Sequence, residues 1–446
     1  MRRFIVILIV LTAHFCTLRG SETVYRTRTI TPDVIKTLRM RYIDTRTGEP
    51  LAGDPQRPFL VISKGTAIDE RGDQQNRVLE ISFDELSHEV RQYTYSLLHL
   101  NADGTESSLN SAEYVSGFTT QDITTYEHSL NTSVLYTHYS FTFPNENMRI
   151  TSSGNYALRI YEDGDTDKTI AFVCFAVVEP LAIIQTKIRP NTDIEINGRY
   201  QQLDIDVEFE GQLKNTRSED YFIVVKQNGR TDNQVFAPKP TFIESQKLRY
   251  TNCKALIFEG GNEYRHFDTY STYFAGTGVD RIVHDRNDYH ALLFVDELRG
   301  QKPYMHEFDV DGQRVVNAER TIYDIETEAE YMWVHWTLAA ENPWFDGTVY
   351  VGGDVFENNI SPRNRMQYDA ERKCYWLTSL VKQGGVDYQY WFVQKADAKN
   401  QQATGSPVTL QRTEGSHWET ENIYTIYVYY RPFGSRYDQL VGIQER

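Results

Sequence analysis

The stretch QLDIDVEFE, from Gln202 to Glu210, alternates apolar and polar residues without interruption. Its apolar members lie on one face of an extended chain: Leu203, Ile205, Val207 and Phe209. Successive side chains of a β-strand point to opposite faces, so a period of two predicts a strand with one buried face and one solvated face. The stretch therefore predicts a half-buried β-strand.

The same period recurs along the chain. KTLRMRY (36–42) and VLEISFDE (78–85) place two further apolar sets on single faces, namely Leu38, Met40 and Tyr42, and Leu79, Ile81 and Phe83. Between such runs lie Asn-Gly and Asp-Gly pairs, which accept the positive φ angles of tight turns, at residues 103–104, 197–198, 228–229, 311–312 and 346–347. Long helical periodicity is absent. We expect an all-β protein of two to three tandem antiparallel β-sandwich domains, immunoglobulin-like or early-set in type.

Length and composition suggest where the domains divide. At 446 residues the chain has room for about three domains. One boundary is expected near Glu179-Pro180, after the apolar run AFVCFAVV, and a second between Asn317 and Tyr323. All six tryptophans follow the second boundary, which predicts a differently built core there. The expected division is a signal peptide (1–20), an N-terminal β-sandwich domain (21–179), a middle β-rich domain (180–320) and a C-terminal early-set-like domain (321–446).

The first residues predict a cleaved export signal. Arg2 and Arg3 precede an apolar run from Phe4 to Ala13, which is too short to span a bilayer. Cys16 stands where a lipoprotein cysteine could be, but the preceding His14-Phe15 fits such a site poorly, so a lipid anchor is the lesser interpretation. No later run is long and apolar enough to predict a transmembrane helix.

Charge and cysteine content exclude several classes of function. The formal net charge is −16, which disfavours binding to nucleic acid or to anionic lipid surfaces. Beyond the signal lie Cys174, Cys253 and Cys374, an odd number whose spacings fit neither a disulfide framework nor a zinc motif. Cys174 lies within the apolar run and is expected to be a buried hydrophobic residue.

Motifs that carry chemistry are not found. The sequence contains no zinc-protease motif, nucleophile elbow, phosphate-binding loop or Cys-x-x-Cys redox motif. The 11 histidines are scattered along the chain and do not form a metal-binding pair. The segment DGDTD, from Asp163 to Asp167, resembles the start of a calcium loop. However, Lys168 stands where that loop needs glycine, and Cys174 where it needs glutamate. A hairpin turn is expected instead. No catalytic, cofactor-binding or metal-binding residue is predicted, no enzyme activity is expected, and the partner-binding surface is left undetermined.

Carbohydrate binding is the alternative function. The segment from Gly347 to Val393 is similar to the early-set sandwich of glycogen-binding modules, where exposed aromatic rings stack on sugars, and Trp344 and Trp391 could supply such platforms. Alternation in VDYQYWFV instead places Tyr388, Tyr390 and Phe392 on one face, which favours a core. A hydrolase is a third hypothesis, which a Ser/His pair or a carboxylate cluster in the folded chain would favour.

The stretch NIYTIYVYYRPFGSRYDQLVG (422–442) predicts a closing hairpin. Tyr424 to Tyr430 alternates as a strand, and Arg431-Pro432 ends it because proline cannot donate to a ladder. YDQLVGI then returns as the last strand. Arg436 and Asp438 are expected to share one side of it and to pin the turn.

Several segments together resemble a known family. They are YTYSLLHLNADGTESSLNSAEYVSGF (93–118), SLNTSVLYTHYSFTFPNENMRITSSGNYALRIY (129–161), GGNEYRHFD (260–268), VYVGGD (349–354), LVKQGGVDYQYWF (380–392) and EGSHWETENIYTIYVYYRPFGSRYDQLVG (414–442). In this order they resemble the type IX secretion system plug proteins.

The resemblance implies a periplasmic protein of the Bacteroidetes type, associated with the outer membrane through its partner. That partner would be the outer-membrane β-barrel translocon, whose periplasmic opening the protein would bind and seal when no cargo is passing. The family brings no catalytic residues and no cofactors. No nucleic acid, small-molecule substrate or direct insertion into the membrane is expected.

Overall fold

The computed structural model describes Tyr25 and residues 28–51, 58–63, 66–213, 217–244, 246–395 and 408–446. The predicted signal peptide, with Cys16, lies outside the described residues. Strands dominate the described chain, and their mostly antiparallel pairing forms three sandwiches, here called the first, second and third sandwich. The pairs β3–β12 and β22–β24 are parallel. The predicted fold class is confirmed.

The elements follow in chain order. Residues 28–179 contain β1 (Thr29–Ile30), β2 (Ile35–Asp44), β3 (Phe59–Val61), β4 (Arg77–Glu85), β5 (Tyr93–Leu100), α1 (Ser111–Tyr114), β6 (Val115–Gly117), β7 (Thr120–Ile123), β8 (Thr125–His128), β9 (Thr137–Phe143), β10 (Met148–Ile150), β11 (Gly154–Glu162) and β12 (Thr169–Val178). Residues 180–259 contain β13 (Ala182–Arg189), β14 (Tyr200–Phe209), β15 (Tyr221–Gln227), β16 (Val235–Phe236), β17 (Phe242–Glu244), β18 (Lys247–Tyr250) and β19 (Ile257–Glu259). Residues 260–446 contain β20 (Arg265–Asp268), β21 (Val279–Asp285), β22 (Asp288–Leu293), β23 (Arg314–Val316), α2 (Ile325–Glu328), β24 (Tyr331–Ala339), β25 (Gly347–Gly352), β26 (Gln367–Asp369), β27 (Cys374–Lys382), β28 (Gly384–Gln394), β29 (Val408–Thr409), β30 (Tyr424–Tyr430) and β31 (Gln439–Glu445). Short 3₁₀ turns lie at Thr166–Lys168, Gly211–Leu213, Ser218–Asp220, Lys254–Leu256, Asp354–Phe356 and Pro362–Asn364.

The first sandwich packs the sheet β1-β12-β11-β5-β7, with β3 beside β12, against the sheet β2-β4-β9-β8. The predicted inward positions Leu79, Ile81 and Phe83 have no exposed surface. Asp84, predicted on a solvated face, is also fully buried, because the third sandwich covers that face. The alternation of the strand therefore predicted its core-facing residues correctly, but it did not predict that the third sandwich covers the opposite face.

The second sandwich is built from two distant parts of the chain. Its sheets are β13-β14-β18-β17, with β19 beside β14, and β16-β15-β30-β31. β15 and β30 are antiparallel, with Tyr221 opposite Tyr430 and Gln227 opposite Tyr424. The C-terminal hairpin therefore does close a sandwich, but it closes the second one and not a domain made of residues 321–446.

The third sandwich is inserted between β19 and β30. Its sheets are β20-β28-β23, with β25 and β29 beside β28, and β21-β22-β24-β27-β26. β20, β22 and β23 precede the predicted cut after residue 320, yet they pair with β24 and β28, which follow it. The cut therefore runs through both sheets. The second boundary was predicted from the position of the tryptophans. The first strands of the third sandwich, β20 to β23, contain no tryptophan, so the predicted boundary lies too far along the chain.

The first and second sandwiches meet through apolar side chains. This contact, called the apolar joint, comprises Val61, Ala102, Ala176 and Val178 of the first sandwich with Val224, Tyr427, Tyr429 and Leu440 of the second. Burial of apolar surface of this kind contributes about 25 cal/mol per Å². The two sandwiches keep separate cores and are held together by this third apolar cluster between them.

The first and third sandwiches meet through buried charges, here called the charged joint: Arg39, Asp84 and His138 with Glu326, Tyr331 and Lys382. Asp84 is bound from three sides, by Lys382 Nζ at 2.7 Å, Tyr331 OH at 2.7 Å and His138 Nδ1 at 2.6 Å. Arg39 pairs with Glu326. The carboxylates of Asp84 and Glu326 thus each have a cationic partner from across the joint.

Two expectations about individual side chains are corrected. Arg436 and Asp438 lie before β31 and do not pair with each other. Asp438 accepts from Ala102 N at 2.9 Å and pairs with Arg431 at 3.0 Å, whereas Arg436 pairs with Glu113 of the first sandwich. Asp438 therefore holds the turn through Arg431 and also contacts the first sandwich through Ala102, whereas Arg436 contacts the first sandwich.

Cys174 is half-buried, not fully buried. Its neighbours Val173 and Phe175 are buried, while Phe172 and Cys174 lie on the less covered face of β12. The apolar run is therefore a two-faced strand. No disulfide joins any two of Cys174, Cys253 and Cys374.

Candidate partner-binding surface

Two Ser/His contacts bear on the hydrolase hypothesis. His88 Nε2 lies 2.9 Å from Ser129 Oγ, but that hydroxyl already accepts from Tyr136 N at 3.0 Å. His99 Nδ1 lies 3.0 Å from Ser107 Oγ, and its Nε2 lies 3.1 Å from the carbonyl of Ser153. In the described chain neither histidine shows the carboxylate partner that orients a catalytic base.

The second of these histidines is buried, and burial lowers the pKa of His99 to about 4. A neutral imidazole then accepts from Ser107 through Nδ1 and donates through Nε2 to the Ser153 carbonyl. Its ring packs against Tyr156 and Tyr437. The arrangement satisfies a core histidine and leaves no access for a substrate.

Metal ligands do not converge in the part of the chain that the structure describes, where no three His, Cys, Asp or Glu side chains could hold one ion. At the segment once compared with a calcium loop, the Asp165 carboxylate accepts from Asp167 N at 3.0 Å and caps a 3₁₀ turn. Asp163 pairs with Lys168 at 2.8 Å. The segment connects β11 to β12 as a turn.

Of the two tryptophans considered as sugar platforms, Trp344 packs against the core of the third sandwich, and Trp391 lies on the opposite face of β28 with Val408 and Leu410. Trp391 is fully buried, beneath the Arg230 guanidinium, which lies 4.9 Å from the ring. Trp344 is half-buried against Tyr375 and Phe392. Neither ring offers an open face. Two others, Trp333 and Trp376, are half-buried on the outer face of the sheet, a position that alternation with the buried Trp336 and Leu377 could have indicated.

A group of exposed large apolar side chains lies where the first and third sandwiches meet. It is called the aromatic rim and comprises Leu130, Leu135, Tyr270, Tyr273, Phe274, Ile322 and Tyr323. Tyr273 and Phe274 are each 69% exposed, and Ile322 and Tyr323 are 76% and 78% exposed. Contiguous apolar patches are uncommon on isolated proteins and mark contact sites.

Backbone hydrogen bonds hold the rim in one place. Glu319 N donates to the Tyr270 carbonyl at 2.8 Å, and the Ser271 hydroxyl donates to the Glu319 carboxylate at 2.7 Å. On the other side, Leu130 N donates to the Thr327 carbonyl at 2.9 Å. The loop around Tyr270, the segment around Ile322 and the first sandwich are therefore tied to one another.

Glu328 is the centre of this arrangement. Its Oε2 accepts from the N–H groups of Ile322 and Tyr323, each at 2.7 Å, and of Asp324 at 3.2 Å. Burial opposes ionisation, but these donors outweigh it and hold the pKa of Glu328 below its ordinary value. An ionised carboxylate that collects successive N–H groups fixes the loop that presents Ile322 and Tyr323.

Sequence reasoning did not find the rim. TYSTYFAG (269–276) is visibly aromatic, and that density was the one available signal. Exposure could not be read from it, because equally aromatic stretches such as YQYWF (388–392) are buried. What distinguishes them is the sheet position of the second stretch, which pairing across the chain decides.

Comparison with known proteins completes the description. Residues 68–179 match the family model described as type 9 secretion system plug protein 1st domain. Among the solved structures, a crystal structure of a hypothetical protein from Parabacteroides merdae superposes with a TM-score of 0.83 at 33% identity, over 95% of this chain and 100% of that one. No curated protein matches. Within the described residues no helix has the length and apolarity needed to cross a membrane.

Proposed function

The chain belongs to the type IX secretion system plug protein family, and we propose that it is a non-enzymatic periplasmic plug. It binds the periplasmic opening of the outer-membrane β-barrel translocon and seals it while no cargo is passing. The observation that carries this proposal is the family match over residues 68–179, which span most of the first sandwich.

The architecture supports a mechanical role. A plug must resist deformation without doing chemistry, and this one has its three sandwiches fastened to one another. The first is joined to the second by the apolar joint and to the third by the charged joint. The third is tied to the second, where Gln201 Nε2 donates to the carbonyls of Trp418 at 2.7 Å and Thr420 at 2.8 Å. Large contacts of this kind oppose independent motion of neighbouring domains.

The aromatic rim is the surface proposed to meet the barrel. Aromatic anchors are enriched where binding energy concentrates at protein interfaces. The rim draws on both the first and the third sandwich, and its loops are held by hydrogen bonds before any partner arrives. Contacts that are ordered in advance lose less conformational entropy on binding.

Pull-down of the tagged protein from detergent-solubilised outer membranes tests the proposal. The wild-type protein is expected to retain the β-barrel translocon. The double variant Phe274→Ser/Tyr323→Ser should retain much less of it, while Phe433→Ser, at a fully exposed phenylalanine of the second sandwich, should match the wild type.

The outcomes separate two claims. If the wild type brings down no barrel under conditions that preserve other outer-membrane complexes, the plug proposal fails. If it brings down the barrel and all variants do so equally, the function stands and the rim is the wrong surface. Retention on a polysaccharide column would favour the carbohydrate-binding alternative. Its candidate platforms would be Trp333 and Trp376, which are half-buried on the outer face of the sheet that contains β24 and β27.

A further inference from the structure

A cleft opens where the three sandwiches meet. Its volume is about 430 Å³. The walls include Met40 of the first sandwich, Gly229 of the second and Val315 of the third. The volume lies within the range of small-molecule sites, and junctions between domains are common places for them.

The cleft has an excess of positive charge in a chain whose net charge is −16. Four guanidinium groups line it, those of Arg28, Arg39, Arg41 and Arg314, against three carboxylates, those of Asp311, Glu326 and Asp354. Counting only these side chains, four positive charges less three negative ones leave one positive charge. The side chains that line the cleft therefore include one more cation than anion.

Arg314 is the least compensated of these groups. Its side chain is 8% exposed, and Nη2 donates to the Leu38 carbonyl at 2.9 Å. Nε lies 3.4 Å from Asp354 Oδ2 but makes no hydrogen bond, and Asp354 is shared with Arg28. Burial lowers the pKa of Arg314, and the charge of Arg39 adds to that effect.

Arg39 leaves a second donor unused. Its guanidinium pairs with Glu326, while Nε is buried and has no hydrogen-bond partner. A buried N–H without an acceptor costs about 1–3 kcal/mol, so native proteins seldom keep two of them in one cleft. Both donors belong to forks that match the two oxygens of a carboxylate or phosphate.

We propose that the cleft binds a small molecule through a phosphate or carboxylate group held by Arg314 and Arg39. The oxyanion accepts the unused N–H groups and neutralises the excess charge. Because the walls come from all three sandwiches, the bound ligand also fastens them together. This site is separate from the aromatic rim and does not depend on the proposed sealing of the barrel.

Binding is measured on the mature full-length protein with pyrophosphate and citrate as probes, against sodium chloride at equal ionic strength. At saturation the favoured probe should raise the thermal midpoint by about 2–4 °C and give a saturable heat in calorimetry. A response to pyrophosphate alone assigns a phosphate ligand, and a response to citrate alone assigns a carboxylate. No saturable binding of either probe at millimolar concentration overturns the proposal.

Three variants locate the site. Arg314→Met should still fold, since Arg28 keeps contact with both Asp354 and the Leu38 carbonyl, and it should abolish the rise in thermal midpoint with probe. Arg314→Lys keeps the charge without the fork and should weaken binding about tenfold. Arg372→Met, at an exposed arginine of the third sandwich, should behave as wild type. Wild-type affinity in both Arg314 variants contradicts the assignment.

Discussion

The apolar joint between the first and second sandwiches is made by aliphatic and aromatic side chains such as Tyr429 and Leu440. The charged joint between the first and third sandwiches is made by paired carboxylates and cations. Both joints are buried, yet they respond to different perturbations. The apolar joint depends on filled volume, which pH and salt barely change. The charged joint depends on complete pairing, because each ion left alone in the interior is costly.

The two joints also differ in how they treat acidic side chains. At the charged joint, burial opposes ionisation of Glu326, but Arg39 outweighs it and lowers the pKa to about 2. Next to the apolar joint, Glu445 at the end of β31 faces Arg77 and Tyr42, and burial raises its pKa to about 7. Acid should therefore weaken the charged joint, whereas alkali should act only through the single carboxyl of Glu445 beside the apolar joint. The following changes test that difference in order of expected size.

Lys382→Met should have the largest effect. Although burial alone would raise the pKa of Asp84, the Lys382 ammonium holds it well below its ordinary range, so the carboxylate stays ionised. Removing the ammonium leaves that charge buried with fewer partners, and the free energy of unfolding should fall by about 3–5 kcal/mol. Urea denaturation at pH 7 measures it.

A double variant and a surface control complete that test. Asp84→Asn/Lys382→Met should be more stable than Lys382→Met alone, because no unpaired charge remains. Lys168→Met breaks an exposed pair with Asp163 and should cost less than about 1 kcal/mol. Equal losses for Lys168→Met and Lys382→Met would show that the charged joint is not buried in solution.

Leu440→Ala should destabilise the apolar joint by about 3 kcal/mol. Leu440 has no exposed surface, so its truncation removes buried methyl groups and leaves a cavity. The loss should be the same at pH 4 and pH 8, since no titrating group is removed. Val90→Ala, at a position 49% exposed, is the matched control and should change little. A strongly pH-dependent loss of stability in Leu440→Ala would contradict the claim that the apolar joint is insensitive to pH.

Acidification should weaken the charged joint by about 2 kcal/mol. The folded pKa of Glu326, about 2, lies below its ordinary value of 4.5, so the native state holds this proton more weakly than the unfolded chain. The stabilisation is complete above about pH 4.5 and is lost as the pH falls towards 2. Unfolding curves at pH 7, 4.5 and 2.5 follow the loss.

The variant Glu326→Gln removes that carboxylate and leaves its charged neighbours in place, so it measures the contribution of Glu326 alone. Those neighbours are Arg39, Arg41, Lys382 and His138. It should be less stable than wild type at pH 7, and the difference should shrink by pH 2.5. A constant difference across this window would mean that Glu326 is not ionised in the native protein.

Glu445→Gln should have the smallest effect and the opposite sign. Because the folded pKa of Glu445 lies above its ordinary value of 4.5, native Glu445 loses stability as the pH rises from 4.5 through about 7. Its Oε1 is buried without a hydrogen-bond partner. The neutral amide should gain on the order of 1 kcal/mol at pH 8 and nearly nothing at pH 5. A loss of stability at pH 8 would reverse the assignment.

The joints show what sequence can and cannot provide. Alternation correctly placed Leu79, Ile81 and Phe83 in a core, because strand periodicity is local. The same pattern placed Asp84 in solvent, since its covering partner Lys382 lies far along the chain. The aromatic rim escaped for the same reason, as exposure depends on which sheets cover a loop. The family resemblance does not have this limit, because it compares segments along the whole chain with proteins that share one fold.

The proposal that this protein seals the translocon is tested most directly by the permeability of the outer membrane. Deleting this protein should admit a large antibiotic that the outer membrane normally excludes, because an unplugged wide barrel is a water-filled path. Deleting the barrel as well should restore exclusion, since the leak has no other route. Unchanged permeability in the single deletion, with the barrel demonstrably expressed, would contradict the account.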